Sequence, residues 1–203
     1  MVKHKNSPVP HPATLVKALS RHWIDGPLGR ESGHHVPVVR DEIGMRIARD
    51  GTWFYHGSPI TRKPLVKLFS KVLVRDSDDD FYLVTPTEKC RISVDDAPFV
   101  AVSLDIQGDG PTQSLTFHTN VGDQIIVNDF HPIRVVFNPI THEPSPYLLV
   151  RDRLEALIVR SVYYELAEIG CEEEVGGDQL YGVWSEGSFF PLGRLGDETV
   201  DYA

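Results

Sequence analysis

Residues 50–86 read DGTWFYHGSPITRKPLVKLFSKVLVRDSDDDFYLVTP, and no other segment of the chain combines so many consistent local signals. Its first two residues, Asp50-Gly51, are the preferred pair of a two-residue type I′ turn, because both central residues of that turn need a positive φ. The pair predicts a hairpin with strands over about residues 45–49 and 52–56.

The register of this hairpin decides which side chains share a face. A two-residue turn places Ile47 opposite Phe54, and these side chains suit a core. The other face then carries Trp53, Tyr55 and Arg46, an aromatic platform with a cation on it. The alternative is that both faces are buried and that Trp53 anchors the core, as large aromatic residues commonly do.

A short helix should follow the turn at residues 57–59. Thr61 is a good N-cap, and the apolar spacing after it predicts a helix over about residues 62–71. Arg62 and Lys63 lie in its first turn, where the macrodipole disfavours cations by roughly a few tenths of a kcal/mol. Cations there make sense if an anion binds at the free N–H groups of the helix end. The alternative is that both side chains reach into water or pair with nearby carboxylates.

The stretch ends in a second predicted hairpin, with strands over residues 72–75 and 81–85. Three Asp residues in its turn have the spacing of an EF-hand loop. Phe81 stands where that loop needs Gly, and Thr87 stands where it needs a bidentate Glu. We therefore predict a solvated turn without calcium.

Length and composition indicate a globular protein of one domain or two small ones. The chain has 203 residues, of which 41% are hydrophobic. It contains no apolar run near the roughly 18 residues of a membrane helix, and its N-terminus lacks the apolar segment of a signal peptide. Cys90 and Cys171 do not make a disulfide framework, so we expect a cytoplasmic protein that does not enter a membrane.

Charge is distributed unevenly along the chain. Residues 1–100 hold 15 Lys and Arg against 12 Asp and Glu, a net charge of +3, whereas residues 101–203 hold 5 against 17, a net charge of −12. An acidic chain without a basic block is a poor candidate for general nucleic-acid binding. If an anionic ligand binds, its positive partners should come from the first half or from the junction of the halves.

Short strands separated by turn residues dominate the chain from residue 88 onward. Their regular spacing predicts a meander or a small barrel. The predicted strands cover residues 90–94, 99–106, 114–118, 124–127, 133–137 and 147–150.

A longer helix is predicted over about residues 152–170. Asp152 and Glu155 are spaced as a capping pair, one apolar side continues along the segment, and Gly170 suits the C-terminal cap. The short apolar run at residues 154–158 is ambiguous, and it could instead be a last strand.

The C-terminal part is predicted to hold an acidic loop at residues 172–177 and a hairpin with strands over residues 180–184 and 187–192. The pattern Gly-x-Trp with Gly-Ser just after it occurs at residues 51–58 and again at residues 182–188. This echo is compatible with two halves that carry related hairpins.

The N-terminal region is polar and rich in Pro and Gly. Residues 1–11 are expected to be disordered, residues 13–22 can form one short helix, and residues 23–37 should form a loop.

Motifs for catalysis and metal binding are absent from the sequence. Its nine histidines form no His-Glu-x-x-His, and its cysteines form no Cys-x-x-Cys. It has no Gly-x-Ser-x-Gly and no Gly-rich phosphate loop. We therefore expect no catalytic residue, no metal site and no cofactor, and we favour a non-enzyme over an enzyme.

Four segments carry a family resemblance: DGTWFYHGSPITRKPLVKLFSKVL, FYLVTPTEKCRISVDDAPFVAVSL, HPIRVVFN and PYLLVRDRLEALIVRSVYYEL. In this order they resemble the bacterial domain-of-unknown-function family DUF1285, over about residues 22–192. The resemblance implies an α+β fold with a duplicated core in two small domains, the C-terminal one a mostly antiparallel, pleckstrin-homology-like barrel capped by a helix. It also implies a nucleotide-like ligand between the domains and a role in bacterial signalling, including stress responses.

We accordingly expect four segments. A flexible N-terminus with a short helix covers residues 1–22, and an N-terminal α+β domain covers residues 23–87. A barrel-like domain with a helix and a final hairpin covers residues 88–192, and a tail covers residues 193–203.

The residues favour a binding module. A phosphate or other anion would meet the helix N-terminus at Arg62, and Trp53 or Tyr55 would stack on a base. The cations expected to line the other side of the cleft between the domains are Lys89, Arg91 and Arg134.

Two other hypotheses stand beside this one. A protein-interaction module without a small-molecule ligand would add a partner strand at an exposed edge, and its acidic second half would favour a basic partner. An enzyme with an unrecognised site, using His56 or His131, is the third hypothesis.

Overall fold

The computed structural model describes residues 38–40, 42–86 and 88–195. The helix predicted over residues 13–22, the loop over residues 23–37 and the disordered N-terminus lie outside the described residues, as does the tail beyond residue 195. The chain divides into two compact units, Met1–Asp95 and Asp96–Ala203.

The described residues of the first unit form one sheet and one helix. β2 and β7 run parallel at the centre of the sheet, whose strands follow the order β4-β3-β2-β7-β6-β5, and β1 also pairs with β7. The elements are β1 (Val38–Arg40), β2 (Met45–Ile47), β3 (Trp53–Tyr55), β4 (Ser58–Pro59), α1 (Lys63–Lys71), β5 (Leu73–Arg75), β6 (Phe81–Val84) and β7 (Glu88–Val94).

β7 belongs to the first unit, although the sequence grouped its residues with the strands that follow. It is hydrogen-bonded to β6 on one side and to β1 and β2 on the other. Because β7 lies at the centre of this sheet, the first unit ends at Asp95 rather than at residue 87.

The hairpin of β2 and β3 differs from its predicted register by one residue, so the prediction of a two-residue turn was wrong. Its loop has three residues, because the Ala48 N–H donates to the Thr52 carbonyl (2.9 Å) and Gly51 takes φ +80°. A three-residue hairpin loop ends in a residue at positive φ, which glycine adopts without strain. The observed pairs are Met45 with Tyr55, Arg46 with Phe54 and Ile47 with Trp53.

The one-residue difference exchanges the two faces of the hairpin. Trp53 lies in the core beside Ile47 and is 1% exposed. Arg46 lies across from Phe54 on the outer face, with its guanidinium carbon 4.9 Å from the ring centroid. The predicted platform of Trp53, Tyr55 and Arg46 was therefore wrong. Of the alternative, Trp53 as a core anchor is confirmed, whereas the face with Arg46 and Phe54 is not fully buried.

Helix α1 begins one residue later than predicted. Arg62, rather than Thr61, is its N-cap residue, and no side chain caps the helix. Pro64 fits the first turn, where its missing N–H is a group that a helix leaves unbonded in any case. The buried side of the helix contacts the core through Phe69, which stacks on Trp53 with ring centroids 6.0 Å apart.

The second unit contains a six-stranded sheet, a helix and a three-stranded sheet. The six strands form a curled half-barrel in the order β10-β9-β8-β13-β12-β11, and β8 and β13 run parallel. Its elements are β8 (Phe99–Gln107), β9 (Ser114–Thr119), β10 (Gln124–Ile126), β11 (Ile133–Phe137), β12 (Pro144–Arg151), β13 (Leu154–Ile158), α2 (Arg160–Glu168), β14 (Cys171–Val175), β15 (Asp178–Ser185) and β16 (Ser188–Arg194).

The two larger sheets share one topology. Each consists of two three-stranded meanders, and the first strand of one meander runs parallel to the last strand of the other. In the first unit α1 lies between the meanders, whereas in the second unit α2 follows them. The expected α+β fold in two domains is confirmed at this level, within the residues that the structure describes.

The helix predicted over residues 152–170 was wrong in its first part. Residues 154–158 form β13, as the alternative reading allowed, and Val159 is the N-cap residue of α2. Asp152 lies in the turn before β13, with φ +46°. The predicted acidic loop at residues 172–177 is mostly strand β14, because its glutamates alternate between the two faces of a three-stranded sheet.

The turn end of the β15–β16 hairpin is bonded to the six-stranded sheet of the same unit. Ser185 is fully buried, and its hydroxyl donates to the Val127 carbonyl (2.7 Å) and accepts from the Leu115 N–H (3.1 Å). The Gln113 amide donates to the Trp184 carbonyl (2.8 Å). These bonds satisfy buried polar groups and fix the small sheet on the larger one.

No helix within the described part of the chain has the length and apolar character needed to cross a membrane.

Candidate functional site

Helix α1 carries a row of cations on its exposed side, here called the cationic face: Arg62, Lys63, Lys67 and Lys71. The three lysines recur every four residues, so they lie one above another, opposite the buried Phe69. The helix has no acidic residue in its first turn. Like charges at this spacing destabilise a helix by about 0.2–0.5 kcal/mol per pair.

Arg62, Lys63 and Lys67 have no carboxylate partner among the described residues. In the same part of the chain, eight other cationic side chains each pair with a carboxylate. These are Arg46, Arg75, Lys89, Arg91, Arg134, Arg151, Arg160 and Arg194. Arg62, Lys63 and Lys67 therefore carry positive charge that no ion pair among the described residues balances.

The backbone at this helix end offers few donors to an anion. Pro64 has no N–H, and the N–H groups of Leu65 and Val66 both donate to the Arg62 carbonyl (2.9 and 3.2 Å). An anion would consequently be held by the side chains of the cationic face rather than by the helix terminus itself.

Lys89 and Arg91, two predicted ligand residues, are engaged by the Asp-rich turn between β5 and β6. The Lys89 ammonium bonds the Asp76 carboxylate and lies 4.1 Å from the centroid of the Tyr82 ring. The Arg91 guanidinium donates to Asp80 at 2.7 Å, and this carboxylate raises the pKa of Arg91. Both cations are thus neutralised by carboxylates that precede them by 13 and 11 residues in the chain.

Arg134, the third predicted cation, belongs to the second unit. Its guanidinium makes two bonds to the Glu155 carboxylate, at 2.5 and 2.6 Å, and stacks 4.4 Å from the centroid of the Tyr147 ring. Glu155 raises the pKa of Arg134. A two-point ion pair fixes this side chain and balances its charge within the second unit.

The predicted stacking residues do not present an open ring face. Trp53 is 1% exposed, and its indole N–H has no hydrogen-bond partner among the described residues. Tyr55 is half-buried and meets His56 edge-on, with ring centroids 4.3 Å apart. Burial raises the pKa of the Tyr55 phenol.

A cavity of about 360 Å³ opens in the first unit beside β6 and β7. Three carboxylates line it, those of Glu42, Asp79 and Asp80, together with one cation, Arg91. Because Arg91 already pairs with Asp80, the lining is net acidic and suits an anion poorly.

Chemistry-bearing side chains of the second unit meet at β8 and β9. His118 Nε2 lies 2.7 Å from the Asp105 carboxylate, and Ser103 is the cross-strand partner of His118. No hydrogen bond joins His118 to Ser103 in the structure, so the three residues lack the link that activates a serine. His131, a residue of the enzyme hypothesis, contacts the Leu149 carbonyl through Nδ1 (3.1 Å).

No group of three or more His, Cys, Asp or Glu side chains is arranged to hold a metal ion within the described ranges. Cys90 is buried and Cys171 is half-buried, and no disulfide joins them.

Both units match the models of one protein family. Residues 34–97 match the N-terminal domain of DUF1285, described as a domain of unknown function. Residues 98–192 match the C-terminal domain of DUF1285, described as a protein of unknown function. The chain belongs to the DUF1285 family. The resemblance of its sequence motifs to this family is confirmed.

Two solved structures of DUF1285 proteins are similar to the chain. A DUF1285 family protein from Silicibacter pomeroyi DSS-3 is 44% identical, with a TM-score of 0.76, over 91% of this chain and 96% of that one. A DUF1285 family protein from Shewanella baltica OS155 is 28% identical, with a TM-score of 0.49, over 62% of this chain and 91% of that one. No curated protein matches the chain.

The cationic face of this DUF1285 protein is only partly visible in its sequence. Arg62 and Lys63 stand out as cations in a first helical turn, and they were among the predicted features. Lys67 and Lys71 continue the row at a spacing that KPLVKLFSK shows directly. What the sequence does not show is which other cations are neutralised, because Arg134 and Glu155 are 21 residues apart.

Proposed function

We propose that this DUF1285 protein binds a small phosphate-bearing anion, such as a nucleotide, on the cationic face of α1. The observation that carries the proposal is the lack of carboxylate partners for Arg62, Lys63 and Lys67 among the described residues, where eight other cations are paired. A bound phosphate would relieve the repulsion along the lysine row and accept charge-assisted hydrogen bonds from it.

The same geometry bears on ligand specificity. Because Trp53 is buried and Tyr55 meets His56, neither predicted stacking residue offers a platform for a base. Recognition would then rest on the phosphates, and affinity should rise with the number of phosphates and vary little with the base.

The family resemblance supplies the wider setting of this proposal. We propose that binding serves signalling in the bacterial cytoplasm, including stress responses. We also propose that the second unit is a pleckstrin-homology-like barrel capped by a helix, since α2 follows directly on the last strand of its half-barrel sheet.

A thermal-shift experiment tests the ligand. Pyrophosphate, AMP, ATP and GTP are added to the full chain at about 5 mM, and a ligand at about five times its Kd stabilises a protein by about 1 kcal/mol. For a chain of this size that corresponds to a rise in Tm of about 2–4 °C. We expect ATP and GTP to act alike, AMP to act less, and the double variant Lys63→Gln/Lys67→Gln to lose the shift.

The matched control is Arg160→Gln/Arg194→Gln, which removes the same charge from exposed, paired side chains of the second unit. It should keep the shift of the wild type. A wild type without any shift, or a control that loses the shift as fully as the α1 variant, contradicts the proposal.

A further inference from the structure

A second surface, independent of the cationic face, is the free edge of the three-stranded sheet. Its strand order is β14-β15-β16, so β14 has one hydrogen-bonded neighbour among the described strands, β15. Other edges in the described chain are protected by common devices. β4 is two residues long and contains Pro59, β5 and β10 have three residues each, and β11 lies alongside β16. β14 is five residues long and contains no proline.

The turn after β14 determines which backbone groups face outward. Gly176 and Gly177 have φ of +66° and +91°, and Val175 pairs with Asp178 across them. The pair that flanks a two-residue turn of this type is hydrogen-bonded, and bonded and non-bonded pairs then alternate along the strands. The N–H and C=O groups of Glu172 and Glu174 therefore point away from β15.

The negative charge of β14 determines which extended segments can pair with its edge. Glu172 and Glu174 are exposed, and α2 adds the exposed Glu165 and Glu168 just before the strand. A second copy of β14 would place glutamates against glutamates, which destabilises a strand pair. A segment with Lys or Arg at every second position would instead oppose each outward glutamate with a cation.

We propose that β14 binds an extended, basic segment of a partner protein as an added fourth strand. The backbone of Glu172 and Glu174 supplies the hydrogen bonds, and their carboxylates select lysine or arginine at alternate positions of the segment. This binding goes beyond the proposed ligand function, because it uses the second unit and none of the residues of the cationic face.

Fluorescence-polarisation titrations of the full chain test the proposal with a labelled peptide of alternating Lys and Val. We expect Glu174→Pro to weaken binding by about fivefold or more, because it removes an outward N–H at a position where an edge strand tolerates proline. Glu172→Lys/Glu174→Lys should reverse the preference, favouring a peptide of alternating Glu and Val. A basic peptide that carries N-methyl groups at alternate residues cannot complete the strand pairing. It should therefore bind the wild type as weakly as the unmodified peptide binds Glu174→Pro.

Asp109→Asn/Asp129→Asn is the matched control, because it removes two exposed carboxylates of the same unit away from β14. Its affinity for the basic peptide should stay within about twofold of the wild type. Four results overturn the proposal: equal binding of the N-methylated peptide, equal loss in the control, no binding at about 1 mM peptide, or a dimer in ultracentrifugation that Glu174→Pro dissociates. If Glu174→Pro does not fold, the N-methylated peptide decides the same point with the wild type.

Discussion

Individual contacts in the Asp-rich turn between β5 and β6 explain why several cations are unavailable to a ligand. Asp76 bonds Lys89 and Asp80 bonds Arg91, so an acidic turn and two basic strand residues neutralise each other. The bond to Lys89 lowers the pKa of Asp76. The sequence did not link the acidic turn to these cations, because the register of β5, β6 and β7 determines which carboxylate lies next to which cation.

Tyr82 lies in β6, bonds this turn, and has a titration that can be tested. Its phenol donates to the Asp78 carboxylate at 2.7 Å, and this bond raises the pKa of Tyr82 from 10.0 to about 12. A phenol with a raised pKa stabilises the fold fully below pH 10, and this contribution is lost as the pH rises through about 12. We expect urea midpoints of the wild type to fall over this interval and those of Tyr82→Phe to fall less.

Tyr164→Phe serves as the control for that measurement, since Tyr164 is 58% exposed. Its urea midpoints should follow the wild-type curve. If the urea midpoints of the wild type and Tyr82→Phe fall equally between pH 10 and about 12, the bond from Tyr82 to Asp78 is not the cause of the fall.

At the scale of elements, local signals predicted strands well and their pairing less well. The strand over residues 133–137 was predicted with its observed bounds, because its apolar and β-branched residues are flanked by turn residues. The Asp50-Gly51 turn was located correctly, yet its loop length was wrong, and the error changed which face Trp53 occupies. Residues 154–158 lacked a deciding signal, since their strand state depends on pairing with β8 and β12.

The Gly-x-Trp pattern that occurs twice has a different physical cause at each site. Gly51 provides a positive φ, whereas Gly182 provides space. A Cβ at Gly182 would lie 2.4 Å from the Phe190 carbonyl oxygen and 2.6 Å from Phe189 Cζ. We expect Gly182→Ala to destabilise the protein by about 1–3 kcal/mol, as overpacked sites do, in urea unfolding.

The control for this variant is Gly187→Asn, at a turn position with φ +81° and open space around its Cα. Asparagine tolerates that conformation, so the cost should be only about a few tenths of a kcal/mol. An equal loss in both variants would show that the crowding at Gly182 is relieved by small shifts of β16.

The whole molecule consists of two units with one strand topology and opposite charge tendencies. The duplication was implied by the family resemblance, whereas the shared order of six strands with a central parallel pair required the structure. The contrast between the halves was plain from composition, with net charges of +3 and −12. The structure adds that part of this charge is gathered on α1 in the first unit and on β14 in the second.

Each unit has a core of its own, so a core substitution should act mainly on one of them. Leu148 is fully buried in the second unit, and Leu148→Ala should cost about 2–5 kcal/mol. In hydrogen exchange we expect amides of β8–β13 to lose protection while those of β2 and β7 retain theirs. Equal loss of protection in both units would show that they unfold as one cooperative body.

The link between the two meanders differs in length between the units. Residues 60–72 join β4 to β5, and residues 127–132 join β10 to β11, which is 13 residues against 6. The framework of strands is the same on either side of this link, and the entropy of closing a loop grows only slowly with its length. Provided that the buried Phe69 is kept, we therefore expect this junction to accept insertions and changes of exposed charge at little cost to the sheet.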